Sequence, residues 1–476
     1  MPKKKKKSTK SSKLIYLLFF LLSTITISIV LFLKVLPTKY FSIIFIIYLL
    51  LNLVFGVTLL KKSKKQKNFL NFICVLFILL FSFILYYLSK TMNFMDQIKA
   101  LKYQTDNYYI LVLKDSKYET IDDIKNETVG IYSISNDSYK QALESLNNKV
   151  SIKTKNYTDI FKLGRNLLNG EIEVIFINES FMSMITDEIA DFEDKVKILD
   201  TIKIKVTSEV EINEINVTEE SFNIYISGID IYGDISSVSR SDVNMIVTVN
   251  PNTHQILLTS IPRDYYVRLH GTTGYKDKLT HAGIYGINMS IQTIEDLLEI
   301  DIDYYVRVNF TTLINLVDSI GGITINSDLA FTSHTNSKCK YIVGSNYLDG
   351  NCALAFARER YAYESGDRHR VQNQQAVLTA ILNKTLSSKT LITKYTSILE
   401  SLGQSFQTNM PTKKIYALVN MQLDEMPSWN IEQISLNGKD SYNYTYSYSS
   451  GKLYVMEPDQ DTIIEALNKI KEVEGN

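Results

Sequence analysis

The chain has 476 residues, and 51 Lys and Arg balance 51 Asp and Glu to a formal net charge of zero. Its five histidines form neither HExxH nor any paired ligand spacing, which argues against a zinc enzyme. The neutral total hides an asymmetry that says more than the bulk charge: lysines crowd the N-terminal end, while arginines and aspartates recur together far down the chain.

Residues 14–33, 40–60 and 68–89 contain no charged side chain, and each is long enough to cross a bilayer as a helix. Residues 1–13 carry seven lysines (Lys3, Lys4, Lys5, Lys6, Lys7, Lys10 and Lys13) and no acid, and KKSKKQK follows the second span. The positive-inside rule puts both basic segments in the cytoplasm and everything beyond about residue 90 outside. A topology signal with attraction to anionic membrane lipid accounts for the tail better than a nucleic-acid arm, and no nucleic-acid partner is expected. The chain after the spans is too long for one ordinary domain.

Residues 100–206 alternate between strand and helix patterns. YYILVLK (108–114), TVGIYS (128–133), SIKTK and VIFIN (174–178) read as strands. Residues 138–148 and 157–170 read as helices, as does the stretch after VIFIN. This alternation predicts a small, mostly parallel sheet. The stretch also resembles one lobe of bacterial solute-binding proteins, which implies an accessory or sensing domain. Residues 207–221, acidic and without apolar periodicity, are the expected linker.

A second unit is expected from residue 222 to 476. FNIYISG is a strand followed by Asp230, and RSDVNMIVTVN is a mostly buried strand opening at Arg240 and Asp242. In extended chain those two side chains project together. ILLTSI is a strand ending in Pro262, Arg263 and Asp264. Strand ends are where α/β sheets hold ligands. Residues 285–300 and TTLINLVDSIGG have helical spacing, and IDYYVRVNF between them reads as a strand. Cys339 and Cys352 lie in the exported part, where an oxidising exterior permits a disulfide; the alternative is two free thiols, one of them buried.

CALAFARER puts Arg358 and Arg360 on one face if extended and about 200° apart if helical. The gap GDRHR supplies Asp367, Arg368 and Arg370, and Gln374 stands near the start of the helix that follows. So many guanidinium groups call for an anion, because their forks bind phosphate oxygens bidentately and keep their charge. Asp230 and Asp242 suit a magnesium (or manganese) ion, which takes one or two carboxylates and leaves its other positions to phosphate and water. In the last ninety or so residues, KIYALVNMQL and TIIEALNKIKEV have helical patterns, YNYTYSYSSGKLYVM reads as a hairpin, and Trp429 reads as core.

The strings ISGID, SRSDVNMIVTVNP, LLTSIPRDYYV, YKDKLTHAGIYG, LVDSIGGITI, YLDGNCALAFARERY and GDRHRVQNQQ occur in order over residues 222–385. At these residues the chain resembles the LytR–CpsA–Psr family, and its three spans with an accessory domain resemble the capsule-type subgroup of Gram-positive bacteria. The resemblance implies three N-terminal transmembrane helices, then a small α/β domain and a larger α/β domain with a central sheet flanked by helices. It also implies a phosphotransferase that moves a capsule or teichoic-acid-like glycopolymer from a polyprenyl-pyrophosphate carrier to peptidoglycan. By position, the metal-side acids fall on Asp230 and Asp242. The pyrophosphate-binding residues fall on Arg240, Arg263, Arg358, Arg360 and Arg370, with Asp367 and Gln374 beside them; Asp242, Arg263 and Arg358 carry the catalysis. Two departures stand out: IYGDISSV replaces a serine–arginine after the first aspartate, and Asn373–Gln374–Gln375 replaces arginine–glutamine–glutamine, for which Arg368 is the candidate substitute. The helices at 285–300 and 374–386 are the candidate walls of a prenyl slot, though core packing explains their apolar faces equally well. Other readings of the same residues are a hydrolase that releases the glycan to water, a non-catalytic membrane regulator of polymer assembly, and, weakest, a transcription regulator.

Overall fold

The computed structural model describes residues 5–33, 38–60, 64–100, 103–132, 136–207, 214–232, 235–364, 366–387, 394, 398 and 406–475. The apolar runs form helices α1 (Lys5–Leu33), α2 (Thr38–Leu60) and α3 (Lys64–Ala100). Within them Ser12–Phe32, Lys39–Val57 and Lys67–Ser89 are long and apolar enough to span a membrane. Phe19 packs against Phe55 and Phe77 where the three helices meet, at ring separations of 5.1 and 6.0 Å. Many of the other Leu, Ile and Phe side chains are exposed, which costs nothing in a hydrocarbon solvent, so the three helices are a membrane anchor.

Residues 103–207 form a sheet from β1 (Tyr103–Leu113), β2 (Thr128–Tyr132), β3 (Lys153–Tyr157), β4 (Val174–Asn178) and β5 (Val196–Thr207), in the order β3-β2-β4-β1-β5. Helices α4 (Asp137–Lys149), α5 (Ile160–Leu168), α6 (Glu179–Glu188) and α7 (Phe192–Lys195) connect and cover it. The side chains of Asn136 and Asp159 accept hydrogen bonds from the first-turn amides of α4 and α5, at 2.7 and 2.9 Å. The sheet is mixed, which corrects the mostly parallel expectation: β2 pairs parallel with β3 and β4, but β1 pairs antiparallel with β4 and β5. The strand that sequence reasoning left out is β5. Its Ile202, Ile204 and Val206 alternate with Lys203 and Lys205, the pattern of an edge strand with one wet face. Residues 208–213 of the expected linker lie outside the described residues.

The chain continues as β6 (Phe222–Ile229), β7 (Val243–Asn250), β8 (Gln255–Ile261), β9 (Tyr266–Val267), β10 (Asp277–Lys278), α8 (Leu279–Ala282), α9 (Ile287–Leu298), β11 (Tyr304–Asn309) and α10 (Phe310–Ser319). Next come β12 (Ile323–Ser327), β13 (Phe331–Thr332), β14 (Lys340–Tyr341), β15 (Gly344–Leu348), α11 (Gly350–Arg358), α12 (Asp367–Thr385) and β16 (Phe406–Thr408). The chain closes with α13 (Thr412–Glu425), β17 (Asn430–Ser435), the hairpin β18 (Gly438–Tyr444) and β19 (Lys452–Pro458), and α14 (Gln460–Glu474).

Six of these strands form the main sheet in the order β16-β11-β6-β7-β8-β17. Successive side chains of β7 face opposite ways. Ile246 joins Tyr225 and Leu257 under α9 and α14, while Met245 and Val247 join Leu258 under α12 and α13. CALAFARER is helical up to Arg358 and leaves the helix at Glu359, so the extended alternative is not realised. GDRHR is not a gap, because Asp367 through Arg370 form the first turn of α12. Cys339 and Cys352 are disulfide-bonded, with Cα atoms 5.4 Å apart, which ties the β13–β14 pair to the helix that ends in Arg358. Trp429 is partly buried on the α13 side, and its Nε1 donates to Gln422 Oε1 at 2.7 Å.

Candidate active site

Strands β6 and β11 run parallel, and β7 runs antiparallel to both β6 and β8. The C-terminal ends of β6, β8 and β11 and the start of β7 therefore share one edge of the sheet. Asp230 follows β6, Arg263 follows β8, and Asp242 precedes β7 with its amide donating to Gly228 O at 2.8 Å. That bond extends the β6–β7 ladder by one step and brings the two aspartates to the same rim.

Arg263 Nη1 contacts Asp242 Oδ1 at 2.7 Å, and its Nε lies 3.4 Å from Asp264 Oδ2. Lys278 Nζ pairs with the other oxygen of Asp264 at 3.0 Å, and Thr280 Oγ1 donates to Asp242 Oδ1 at 3.2 Å. Burial alone would push Asp242 up, but the guanidinium groups of Arg240 and Arg263 hold it down to about 2. Asp264 is likewise held below the usual carboxylate range, against its own burial, by Lys278 and Arg263. Asp230 goes the other way. It faces the open mouth of a cavity, yet the protein around it strips away enough water, with the Asp242 charge adding, to push it up to about 6. Arg370 and Arg358 act on it in the opposite sense. Arg370 is buried, and Arg358 stacks its guanidinium 4.2 Å from the centre of the Phe310 ring.

Below this rim lies an apolar cavity of about 710 Å³ including its open mouth. Ile226 and Met245 from the sheet, Leu313 from α10, and Val377 and Ile381 from α12 line its depth. Asp230, Asn309, Arg358 and Gln374 stand among its lining as the polar members. Of the two helices expected to wall such a slot, α12 does so. Helix α9 does not: its Ile287, Ile291 and Ile294 pack on the opposite face of the sheet.

Not every expected site residue joins the cluster. Arg360 turns onto Tyr361, donating to its hydroxyl at 2.7 Å with its guanidinium 4.8 Å from the ring centre. Arg368 reaches Asp440 on β18 at 3.2 Å and so does not substitute for the missing arginine. Gln375 is structural, donating to Ile434 O at 2.6 Å across to β17. Asp367 opens α12, and its side chain lies outside the described part.

Sequence reasoning missed Thr280 and Lys278 as partners of the cluster, although both lie in the string YKDKLTHAGIYG. It also missed Asp187, on α6 of the first α/β unit, whose Oδ2 is 2.5 Å from Arg240 Nη1. No local pattern marks Asp187; only docking of the two units brings it there. Thr105 on β1 accepts from Val238 N at 3.0 Å and donates its own amide to Ser236 O at 2.7 Å, so a single β-bridge ties the loop leading to Arg240 to β1. We expect Asp187→Asn to tighten inorganic pyrophosphate binding, because it removes a negative charge from Arg240. Asp187 is about half exposed, so the gain is worth a surface ion pair, up to about fivefold in affinity by titration calorimetry.

Asp230 and Asp242 are the residues that would hold a divalent cation on this rim. Burial pushes Asp230 up to about 6, and the Asp242 charge on the same rim adds to the rise. Among the described residues no group of three His, Cys, Asp or Glu could hold a metal, so any ion here relies on phosphate and water for its other ligands.

The fold and rim define a class: a membrane-anchored α/β protein with an arginine–aspartate cluster at the mouth of an apolar cavity. A model of the LytR_cpsA_psr family matches residues 185–467, and the chain belongs to this family. The polyisoprenyl-teichoic acid–peptidoglycan teichoic acid transferase TagU of Enterococcus faecalis is 34% identical over 217 residues, covering 45% of this chain and 68% of its own length. The TagT transferase of the same description from Bacillus subtilis is 32% identical over 269 residues, covering 55% of this chain and 79% of itself. Among solved structures, TagT bound to LIIa-WTA is 28% identical and covers 56% of this chain and 95% of its own, with a TM-score of 0.46.

Proposed function

We propose that the protein transfers a glycopolymer from a polyprenyl-pyrophosphate carrier to peptidoglycan, leaving a phosphodiester link. The observation that carries this reading is the joint between charge and cavity: Asp230 and Arg358 belong both to the ionic rim and to the lining of the apolar slot. An amphiphile with an anionic head and a long apolar tail fits such a site. The named activities of TagU and TagT agree with it. Arg240, Arg263, Arg358 and Arg370 hold the pyrophosphate oxygens, and Gln374 stands where the head meets the tail. Arg360 and Arg368 lie outside this set. Asp230 and Asp242 would hold magnesium or manganese, which supplies further charge neutralisation when bound. An acceptor hydroxyl of peptidoglycan attacks the sugar-proximal phosphorus. The bond from that phosphorus to the bridging oxygen breaks, and polyprenyl monophosphate leaves into the slot. The arginines offset the charge that grows on the leaving phosphate.

The lysines ahead of the first apolar span and between the second and third support, by the positive-inside rule, a topology with those segments inside the cell and the soluble units outside it. The Cys339–Cys352 bond suits an oxidising exterior.

The test uses the full chain in detergent micelles, with a synthetic polyprenyl-pyrophosphate disaccharide, a peptidoglycan oligomer and magnesium, read by mass spectrometry. A phosphodiester-linked adduct is the expected product. Lipid monophosphate with free sugar phosphate would identify a hydrolase, and bound but unaltered donor would identify a regulator.

Asp230 also sets a pH dependence. Because its pKa is raised in the folded protein, the fold holds a proton that the unfolded chain sheds from about pH 4, and stability declines as pH rises to about 6. Metal binding must displace that proton. Magnesium is therefore expected to release about three-quarters of a proton at pH 5.5 and almost none at pH 8, measured by calorimetry in buffers of different ionisation enthalpy. Equal release at both values would remove Asp230 from the metal site.

A further inference from the structure

The outer face of the tyrosine-rich hairpin β18–β19 is built from exposed rings. Tyr442 and Tyr444 lie two residues apart on β18 and so share a face, with exposures of 65% and 39%. Tyr454, across from Tyr442 on β19, sets its ring edge-on at 5.9 Å. Tyr275, 50% exposed, stacks on Tyr444 at 5.4 Å. Polar groups are set among the rings. Asp440 accepts from Tyr454 Oη at 2.9 Å and pairs with Arg368, and Lys452 lies 5.8 Å from the centre of the Tyr444 ring.

The face is held firmly. Tyr266 Oη donates to Tyr444 O at 2.8 Å, and beyond β18 the Ser447 amide donates to the fully buried Asp277 at 2.7 Å. It is also continuous with the ionic rim. Lys278 lies 5.8 Å from the centre of the Tyr454 ring, and its ammonium pairs with Asp264, the residue beside Arg263. The aromatic strip therefore reaches Arg263 through two ion pairs, Lys278–Asp264 and Asp264–Arg263.

We propose that this strip is a saccharide-binding subsite that holds the glycan chain as it leaves the reaction centre; this rests on the transferase reading above. Pyranose rings present flat C–H faces that pack on exposed tyrosines, and hydroxyl groups that hydrogen-bond to neighbouring charges. Asp440, Arg368 and Lys452 supply those charges at the edges of the rings. Tyrosine also suits a wet binding surface, because its ring is rigid and keeps a polar tip. A bilayer surface would favour Trp, Phe or Leu on such a face, and this one carries none of them.

The test uses the full chain in nanodiscs. The probes are a soluble uncrosslinked peptidoglycan strand and a polyprenyl-pyrophosphate oligosaccharide, with binding measured by calorimetry and by hydroxyl-radical footprinting of the tyrosines. The Tyr442→Ala/Tyr444→Ala pair, made at exposed positions, is expected to weaken binding at least tenfold with no change in melting temperature. The Tyr442→Phe/Tyr444→Phe pair keeps the rings and is expected to retain most of the affinity. Loss confined to the peptidoglycan strand assigns the strip to the acceptor, and loss confined to the donor assigns it to the donor glycan; either supports the proposal. Unchanged affinity in the alanine pair, absence of glycan binding to the wild type, or protection of the rings by the bilayer alone overturns it. If no transfer occurs but glycan binding still depends on the rings, the transferase reading falls and the strip stands. If transfer proceeds with an unchanged KM in the alanine pair, the strip alone falls.

Discussion

Arg263→Ala is expected to reduce glycan transfer by about 10²–10³-fold, the usual loss when a preorganised donor to transition-state charge is removed. Arg263 stands at the centre of the rim, between Asp242 at 2.7 Å and Asp264 at 3.4 Å, in an otherwise buried setting. Its loss removes a phosphate donor and also one of the cations that hold Asp242 near 2. The carboxylate would then rise, and its readiness to share a metal would fall. Arg263→Lys is the informative control. It keeps a positive charge but loses the planar fork, so it should recover magnesium binding more fully than it recovers transfer. Single-turnover rates with calorimetric magnesium binding separate the two effects. Near-normal turnover in the alanine variant would remove the arginine rim from the chemistry.

A comparable loss is expected from Gly283→Ala, although this residue touches no phosphate. A Cβ at Gly283 would lie 2.5 Å from Ser239 O and 2.8 Å from Ser241 N. Both are backbone atoms of the segment that carries Arg240 and Asp242, and neither can rotate away. The segment must shift outward, and misplacing catalytic groups by about 1 Å can cost about 10²-fold in rate. Overpacking of this kind also costs about 1–3 kcal/mol of stability. The variant should therefore melt several degrees lower by scanning calorimetry while still binding the prenyl tail, since Gly283 is not part of the cavity lining. Wild-type turnover with an unchanged melting temperature would refute the close approach.

Much of the fold could be read from local pattern. The three charge-free runs are the three long helices, because a span needs only length and apolarity. VIFIN is the buried strand β4, and Asp230, Asp242 and Arg263 do gather on one rim, because strand ends in an alternating chain collect at sheet edges. The reading failed where the answer depended on a partner distant in sequence. Arg358, Arg360, Arg368 and Arg370 look alike in the chain, yet Arg358 stacks on Phe310, Arg360 turns to Tyr361, Arg368 crosses to Asp440, and Arg370 is buried near Asp230. Residues 285–300 and 374–386 have equally apolar faces, and only the handedness of the connections decides which side of the sheet each covers.

The sequence by itself determined the anchor, most of the longer helices and buried strands, and the kinds of side chain offered to a ligand, since these follow from periodicity, length and chemical type along the chain. Tertiary structure decided that the apolar slot opens beneath the arginines, that Asp187 meets Arg240 from another unit, and that the hairpin's tyrosines continue the rim through Lys278. Those facts depend on distances between residues far apart in the chain, and such distances are set by packing rather than by any local pattern.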